Sequence, residues 1–516
     1  MNPGGPFPSL EAATERVLHV QRKLHEWASN DAECRFRDVW NLVCDPATLV
    51  VAWSRVSRNR GSRTAGVDAE TRRHVEARGV EQFLTGLRGE LKAGTFRPLP
   101  VRERLIPKRD GRMRRLGIPT LKDRVVQMAL KLVLEPIFES GFYPSSYAYR
   151  PGRRTQDAIA EIVHFTKAPS HYEWVIETDI EACFDHLSHS LILDEVTRRV
   201  VDKRVLGLVR LFLRAGLMSE TGRLERTVTG TPQGGIASPL LANIALSALD
   251  RQYEADWQEM SSYQGKRKYL QRTGHATYRL IRYADDLVLL VKGTRPQAQT
   301  LLDQLAQRTQ ALGLSLKSEK TAITHIDEGF VFLGQRIVRR PKGTKRYVYT
   351  FVSNEALASI RRKVKALTGR STTNMALSEL IAALNPLLRG WANYYRHAAA
   401  KRTLNYLGYY AWWRVGRWLR KKHPRMSWKQ INRRYGGKDG IHDRGITLYK
   451  PGSLSITRYR YRGARIPTPW TEPTAVPTGV HAKRAYLQEQ LPLERVQQAL
   501  ARPRPPLDMP MESRMR

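Results

Sequence analysis

Two adjacent carboxylates, Asp285 and Asp286, interrupt an otherwise apolar stretch that runs from residue 279 to residue 291. The apolar and β-branched residues on either side predict a strand, a tight turn and a second strand. Because neighbouring side chains on a strand point to opposite faces, the two carboxylates can serve one site only if the chain turns there. Burying two like charges is costly unless a cation lies between them, and Mg²⁺ binds carboxylate and phosphate oxygens together. A polar hairpin tip is the alternative interpretation.

A third carboxylate, Asp179, ends another predicted strand, which begins near residue 174 and leads into a helix. Three acids at the ends of two neighbouring strands can hold two metal ions, one activating an attacking hydroxyl and the other stabilising a triphosphate. The pattern therefore predicts phosphoryl transfer with two Mg²⁺ ions at Asp179, Asp285 and Asp286.

The net charge of the chain is strongly positive, because 87 Lys and Arg against 48 Asp and Glu give +39 over 516 residues. Such an excess predicts a polyanionic partner, with nucleic acid favoured over an anionic membrane surface. No apolar stretch is long enough to span a membrane, and residues 1–30 lack a signal-peptide core. The three cysteines, Cys34, Cys44 and Cys183, lack metal-ligand spacing, which indicates a reducing compartment. These features together predict a cytoplasmic protein.

Two segments upstream of Asp179 combine basic residues with turn formers or aromatic rings. Residues 101–120 contain apolar runs on either side of Asp110 and Gly111, which predicts a β-hairpin. Its many Lys and Arg residues suit a phosphate clamp, and they equally suit a charged edge that resists pairing with other strands. Residues 143–154 interleave Tyr and Arg, which fits either stacking on bases or a loop that packs on the core.

A basic, aromatic block follows in the second half of the chain. Residues 380–438 contain 14 Lys and Arg residues and no acid, and nine aromatic residues lie within residues 391–418. Tyr406, Tyr410 and Trp413 are spaced i, i+4, i+7, which predicts the core face of a helix. The cations then form the opposite, solvated face. Natural surfaces usually mix charges of both signs, so solubility alone does not explain a purely cationic helix face. Such a face favours a helical thumb that binds the phosphates of a duplex.

The order of several short motifs resembles that of the group II intron reverse transcriptases. The matching motifs, in chain order, are the loop of residues 59–68, Ile106-Pro107-Lys108, residues 116–120, Asp179 with Phe184, Pro232-Gln233-Gly234, residues 283–286, residues 316–321 and Phe332-Leu333-Gly334. Each motif is short, but their order and spacing are specific, and they cover roughly residues 55–470.

The resemblance implies an α+β fold with the right-hand architecture of polymerases, in which fingers and palm precede a helical thumb. The implied divisions are an N-terminal helical extension with a Gly-rich basic loop (1–100), fingers and palm (101–340), a helical thumb or maturase domain (350–430), a DNA-binding region (431–475) and a Pro-rich tail (476–516).

The family's catalytic residues are carried over onto matching positions. Asp179, Asp285 and Asp286 would hold the two Mg²⁺ ions, with Ile180 as a further metal contact. Phe184 would lie under the deoxyribose and exclude a 2′-hydroxyl.

The resemblance also implies contacts to the incoming nucleotide. The residues concerned are Lys108, Arg114, Phe184, Gln233 and Lys320. Arg115 stands where the family usually has an apolar residue or proline, so the arginine contact falls on Arg114 or on its neighbour.

Contacts to RNA and DNA are implied for the basic segments. Residues 387–395 resemble the maturase segment that binds the parent intron RNA, and residues 439–470 resemble the family's DNA-binding region. The residues implied to contact nucleic acid are Asn59, Arg60, Arg150, Arg389, Lys401, Arg402, Arg414, Arg417, Lys421 and Lys422.

The resulting hypothesis is an RNA-directed DNA polymerase of the bacterial cytoplasm that uses an RNA template, a DNA primer or target DNA, and dNTPs. It would bind its own group II intron RNA and assist splicing, as a maturase, and intron mobility, known as retrohoming. No cysteine follows Cys183, which predicts that the family's His-Asn-His endonuclease is absent and that priming uses existing DNA ends. The alternatives are a splicing cofactor with a decayed polymerase, against which the intact acids argue, and a domesticated reverse transcriptase in defence or repair.

Overall fold

The computed structural model describes residues 7–107, 113–225, 229–231, 234–437, 440–463 and 466–471. The chain divides into a unit of residues 1–466 and a second unit of residues 467–516, of which only 467–471 are described. The first unit combines helices with mainly antiparallel sheets, which confirms the predicted α+β class. Among the described residues, none of the helices has the length and apolarity needed to cross a bilayer.

The first hundred residues are helical, as the periodicity of residues 10–28 and 80–92 predicts. The helices are α1 (Leu10–Asn30), α2 (Trp40–Val43), α3 (Pro46–Arg58), α4 (Arg72–Arg78) and α5 (Val80–Ala93). The Ser9 hydroxyl and the Asp45 carboxylate cap α1 and α3 by accepting hydrogen bonds from backbone amides of their first turns. The buried faces of these helices join the same hydrophobic core as the β3 and β7 strands described below, so this segment packs as part of the first unit.

The central part of the chain alternates strands and helices. Its elements are β1 (Val101–Pro107), β2 (Met113–Ile118), α6 (Leu121–Glu139), α7 (Thr155–Thr166), β3 (Trp174–Asp179), α8 (Cys183–His186), α9 (His189–Thr197), α10 (Lys203–Leu213), β4 (Leu217–Met218), β5 (Leu224–Glu225), α11 (Ser238–Glu259), α12 (Lys266–Arg272), β6 (Thr277–Tyr283), β7 (Asp286–Lys292), α13 (Arg295–Gln310), β8 (Ala322–His325), β9 (Phe330–Phe332), β10 (Gln335–Lys342) and β11 (Lys345–Val352).

Two sheets in this part position the site. The fingers sheet has the order β2-β1-β4-β5, and the antiparallel β1–β2 pair confirms the predicted hairpin, whose turn residues lie outside the described part. The palm sheet is antiparallel with the order β6-β7-β3-β8. Leu287, Leu289 and Val291 of β7 enter one core, whereas Val288 and Leu290 enter another. Because both faces of the sheet are covered, the strand is an uninterrupted apolar run.

The turn between β6 and β7 is held from beneath by a buried arginine. Tyr283 pairs with Asp286, which leaves a two-residue turn with Ala284 in the left-handed region at φ 61°. The Arg282 guanidinium donates to the Ala284 carbonyl at 3.1 Å and forms a fully buried ion pair with Asp250, with Nη2 2.5 Å from Oδ2. It also donates to Asn243 Oδ1 at 3.0 Å. Arg282 therefore fixes the conformation that carries the two carboxylates.

Helices and short strands complete the first unit. They are α14 (Asn354–Leu367), α15 (Leu377–Tyr395), α16 (Lys401–Lys422), α17 (Trp428–Tyr435), β12 (Gly436–Gly437), β13 (Gly440–Asp443) and β14 (Ile446–Thr447). Residues from α14 to α17 share a hydrophobic core with Ile441 and Leu448. The strands after α17 therefore pack on the thumb helices.

The buried face of helix α16 is shifted by one residue from the core face that the sequence predicts. Leu407 and Ala411 are fully buried, whereas Tyr406 and Trp413 are exposed. Each residue of a helix is rotated by 100° from its predecessor, so two stripes offset by one position fit the same spacing. The prediction that Tyr406 and Trp413 are core residues is wrong, because the aliphatic stripe is the one that faces inward.

A segment after the thumb, residues 457–462, lies along α7 of the palm. The Arg462 guanidinium pairs with the buried Asp157 carboxylate at 2.7 Å, and the Tyr459 hydroxyl donates to the same carboxylate at 2.9 Å. The Tyr461 ring stacks on His164 with ring centroids 4.6 Å apart. We call this segment the strap. Tyr459, Tyr461 and Arg462 thus contact α7 of the palm.

The ion pair under the turn yields a stability prediction. Arg282→Ala leaves the buried Asp250 carboxylate without its counter-ion, and we expect the free energy of unfolding to fall by about 3–5 kcal/mol. Chemical denaturation followed by circular dichroism measures this change. Arg272→Ala, an exposed arginine on α12, is the control and should change stability by less than about 0.5 kcal/mol. Equal effects of the two substitutions would contradict a buried structural role for Arg282.

Candidate active site

The three predicted acids meet where β3 ends and β7 begins. Asp179 is the last residue of β3 and pairs across the sheet with Asp286, the first residue of β7. Asp285 lies in the preceding turn, and its carbonyl accepts the Ile180 amide hydrogen at 3.1 Å. Antiparallel pairing thus brings residues separated by more than a hundred positions to one edge of the palm sheet.

The three carboxylates at this edge of the palm sheet repel one another. Burial and the repulsion of Asp285 and Asp179 raise the pKa of Asp286 to about 6. Burial and the charge of Asp179 also raise the pKa of Asp285. Both shifts mean that the ionised cluster is unfavourable by itself, which is the condition that a bound cation relieves.

Lys320 supplies a positive charge at the cluster. Its Nζ donates to Asp179 Oδ2 at 2.5 Å. Burial disfavours the charged ammonium, but the hydrogen bond to Asp179 and the attraction of Asp286 and Asp285 outweigh it and raise the pKa of Lys320. The ammonium shows that this carboxylate edge accepts a cation.

The same contact bears on metal binding. No group of three or more His, Cys, Asp or Glu side chains in the described part of the chain has the geometry of a formed metal site. In this structure the Lys320 ammonium lies on one of the Asp179 oxygens. The donor set nevertheless fits hard divalent cations, which prefer carboxylate oxygens.

Phe184 lies beside the acids on the short helix α8. Its partly buried ring meets the ring of Tyr149 edge to face, with centroids 6.4 Å apart. Tyr149 is half-exposed and adopts φ 58°, a conformation rare for a non-glycine residue. Burial and the charge of Asp285 raise the pKa of Tyr149. Sequence reasoning assigned Tyr149 no role of its own, and only the turn signal of the following Pro-Gly pointed to its unusual backbone.

The fingers place two neighbouring arginines in different environments. Arg115 contacts Glu103 and, at 2.6 Å, Glu225, which ties β1 to β5. Arg114 is exposed and near enough to Asp285 to act on its charge. Of the two guanidiniums, that of Arg115 bridges two carboxylates of the fingers sheet, whereas Arg114 acts on the charge of Asp285. The predicted nucleotide contacts Lys108 and Gln233 lie outside the described residues.

The glycine loop before α11 approaches protein backbone. A Cβ at Gly234, whose φ is 121°, would lie 2.4 Å from the Gly117 carbonyl oxygen of β2. The absence of a side chain at Gly234 therefore allows the loop to pack on the fingers hairpin.

The prediction that Arg150 contacts nucleic acid is wrong. Its guanidinium is buried, forms a bidentate ion pair with Glu139 at 2.8–3.0 Å, and donates to the Tyr143 and Ser146 carbonyls at 2.7 Å. These contacts engage the guanidinium inside the protein, so Arg150 organises the Tyr-rich loop.

Several other predicted nucleic-acid contacts are engaged in the thumb. Lys401 donates to the Gly452 carbonyl at 2.6 Å, and Arg414 donates to Thr368 at the end of α14. Lys422 donates to the carbonyls of residues 373 and 375. These three side chains tie elements together, as cations near helix ends commonly do.

The remaining predicted contacts stay at the surface. Asn59 caps the early loop by accepting the Gly61 amide hydrogen at 3.3 Å. Arg389 lies over the Tyr449 ring at 5.0 Å and Arg417 over the Trp413 ring at 4.9 Å. The exposed cations of the predicted set are Arg60, Arg389, Lys401, Arg402, Arg417 and Lys421.

The thumb also contacts the palm motif Phe332-Leu333-Gly334. The Tyr394 hydroxyl donates to the Leu333 carbonyl at 2.8 Å, and the Tyr395 hydroxyl donates to the Gly334 carbonyl at 3.3 Å. Both acceptors lie in a turn with positive φ, at 48° and 75°. The two tyrosines of the maturase-like segment thus tie the thumb to the turn between β9 and β10.

Comparison with known families agrees with this organisation. The family described as reverse transcriptase (RNA-dependent DNA polymerase) matches residues 106–337, which hold the fingers, the palm and the three acids. The family described as the maturase-specific domain of group II introns matches residues 357–436, which hold the thumb helices. Reverse transcriptases depend on divalent metal ions, and both families act on nucleic acid.

Individual relatives extend the match over most of the chain. Protein YkfC of Escherichia coli (strain K12) is 35% identical over 358 residues, which are 66% of this chain and 93% of that protein. The group II intron-encoded protein LtrA of Lactococcus lactis subsp. cremoris is 28% identical over 482 residues, 80% of this chain and 78% of LtrA. The putative COX1/OXI3 intron 1 protein of Saccharomyces cerevisiae is 29% identical over 367 residues, covering 64% of this chain and 43% of that protein. The chain therefore belongs to the group II intron-encoded reverse transcriptases with a maturase domain, and it is an RNA-directed DNA polymerase.

Proposed function

We propose that Asp179, Asp285 and Asp286 form the polymerase active site and hold two Mg²⁺ ions, with Ile180 as a further contact. The observation that carries this proposal is the convergence of three carboxylates at one edge of the palm sheet, with a lysine ammonium already on one of them. When bound, such ions activate the primer 3′-hydroxyl and neutralise charge on the triphosphate.

The surrounding side chains position the reactants. Lys320 leaves Asp179 and pairs with the triphosphate. The Lys320 ammonium then faces the phosphate charges, and the Asp179 carboxylate faces a metal ion, so each charge gains a stronger partner. Arg114, exposed on β2, donates to the same phosphates, and Lys108 and Gln233, which lie outside the described residues, are proposed as further contacts. Positioned cations stabilise charge that develops during phosphoryl transfer.

Phe184 and Tyr149 form the floor for the sugar. Their edge-to-face contact holds the Phe184 ring in place beside the acids. A ring fixed in this way lies against the deoxyribose and leaves no space for a 2′-hydroxyl, so the site selects dNTPs over rNTPs.

The thumb and early loop bind RNA in this proposal. The exposed cations of α15 and α16, with Arg60, contact phosphates of the group II intron RNA and of the template–primer duplex. The protein thereby assists splicing of its intron and copies the intron RNA during retrohoming into target DNA, in the bacterial cytoplasm beside the nucleoid. The divisions at residues 100, 340, 430 and 475 serve as working boundaries for these activities.

Asp286 is expected to support catalysis but to destabilise the metal-free fold. Its replacement should therefore change activity and stability in opposite directions. Because the folded-state pKa of Asp286 is about 6, above the reference value of 3.8, the folded protein holds a proton that the unfolded chain releases as pH rises between these values. Stability from this group is present below that window and lost above it. We expect Asp286→Asn to stabilise the metal-free protein at pH 7.5 by about 1–2 kcal/mol. Thermal unfolding in EDTA measures the change.

The same substitution removes a metal ligand, so primer extension on poly(rA) with oligo(dT) should fall about a hundredfold or more. Added Mg²⁺ should raise the unfolding temperature of the wild type more than that of the variant. Asp194→Asn, an exposed acid on α9, is the control and should change neither property. Full extension activity in Asp286→Asn would refute the assigned role.

Sugar selection is tested by Phe184→Ala. Removal of the ring opens space at the 2′ position, and we expect the ratio of rNTP to dNTP incorporation to rise about tenfold, in the range of pocket-based discrimination. Single-nucleotide extension with each substrate measures the ratio of kcat/KM values. Tyr263→Ala, an exposed aromatic residue after α11, is the control. An unchanged ratio in Phe184→Ala would exclude Phe184 from sugar selection.

A further inference from the structure

A cavity of about 370 Å³ lies on the thumb between α16 and the segment of residues 440–453. The side chains that matter for its chemistry are Asn405, Tyr409, Trp412, Leu448, Tyr449 and Lys450. A second cavity of the same volume adjoins it, and Trp412 lines both. We call the first the Trp412 cavity. It lies on a different part of the fold from the palm acids.

The wall of the Trp412 cavity is an exposed aromatic pair. Tyr409 and Trp412 are 63% and 37% exposed, and their rings stack with centroids 6.1 Å apart at an interplanar angle of 28°. Trp428 meets the Trp412 ring edge to face at 6.2 Å and supports it from the other side. The core of the thumb uses other positions of α16, such as Leu407 and Trp418. Packing of the thumb core therefore leaves this exposed pair unexplained.

The floor and rim add polar groups to the aromatic wall. Close approach of Gly452 to α16 sets the depth, because a Cβ there would lie 2.2 Å from Asn405 Oδ1. The Asn405 amide is exposed and makes no hydrogen bond to another described residue. An amide offers both a donor and an acceptor, which suits the edge of a nucleobase. Lys450 lies at the rim, where it can meet a phosphate.

The charge of the surroundings identifies the class of occupant. Residues 380–438 contain 14 Lys and Arg residues and no acid, and none of the described residues lining either cavity is acidic. An apolar peptide would leave these cations unpaired, whereas a nucleotide brings a flat apolar base and an anionic phosphate together. Proteins that bind single-stranded RNA place unstacked bases on exposed aromatic rings beside cations.

We propose that the Trp412 cavity binds an unpaired nucleobase of RNA, stacked on Trp412 and Tyr409, with its edge at Asn405 and its phosphate at Lys450. The inference rests on the proposed binding of RNA by the thumb and adds a base-reading pocket to it. The bound RNA is then single-stranded at this point, such as a loop, a bulge or an end, because a paired base cannot enter the cavity.

The test compares two 12-mers of equal charge: fluorescein-labelled oligo(rA) and an abasic ribose-phosphate chain. Binding to the full-length protein is followed by fluorescence anisotropy. Trp412→Ala should weaken oligo(rA) binding about tenfold and leave the abasic 12-mer within about twofold, since stacking involves only the base. Trp412→Phe should retain most of the affinity. Trp27→Ala is the matched control, because Trp27 on α1 is also exposed, at 54%.

Equal losses on both 12-mers, or no loss on either, would overturn the cavity assignment. A steep salt dependence of abasic binding tests the phosphate contacts of the proposed function separately. An affinity for the abasic 12-mer that does not change with salt would refute those phosphate contacts. The difference in affinity between the two 12-mers tests only the Trp412 cavity. If the wild type binds neither 12-mer, both proposals fail.

A second measurement does not depend on folding of a variant. Oligo(rU) carrying 5-iodouridine is photocrosslinked to the wild-type protein, and the crosslinked tryptic peptides are sequenced by mass spectrometry. The peptide between Arg402 and Arg414 contains Tyr409 and Trp412 and has no internal cleavage site. A crosslink on either aromatic residue supports the proposal, and its absence from this peptide overturns it.

Discussion

The mutual repulsion of three carboxylates is the constraint around which the palm is built. Asp179 and Asp286 are cross-strand partners, so their approach is set by backbone pairing and not by side-chain attraction. The repulsion between the carboxylates is offset by the burial of the strands on both faces and by the Arg282–Asp250 pair beneath the turn. A rigid sheet therefore maintains an arrangement that its own charges disfavour, which is the usual relation between a preformed catalytic site and its scaffold.

The large positive charge of the protein is divided between structural and surface cations. Arg150 and Arg282 are buried and bonded to acids and carbonyls inside the fold. Lys401, Arg414 and Lys422 hold helix ends and loops of the thumb. Net charge alone thus overstates the surface that is open to nucleic acid, although several cations of α15 and α16 remain exposed.

The sequence predicted the palm strands and their acids well, because the patterns that specify them lie within short segments. An apolar run interrupted by two acids specifies a hairpin, and Asp179 at the end of a second run specifies its partner. Arg150 was misassigned because its partner Glu139 lies on a preceding helix, and only tertiary packing reveals the ion pair. The α16 face was predicted one position away because aromatic and aliphatic stripes share the same period. Tyr149 was missed because its role depends on a ring brought near by folding.

The strap has a consequence for how the chain folds as it leaves the ribosome. Tyr459 contacts Asp157 across a sequence separation of 302 residues, so α7 remains without this cover until nearly the whole first unit has been synthesised. Until then, the Asp157 carboxylate lacks its contacts with Tyr459 and Arg462. Contacts between residues so far apart in sequence slow the final folding step. Completion of the polymerase unit is therefore a late event in translation, and the nascent palm spends the intervening time with an uncovered helix that other chains or chaperones can reach.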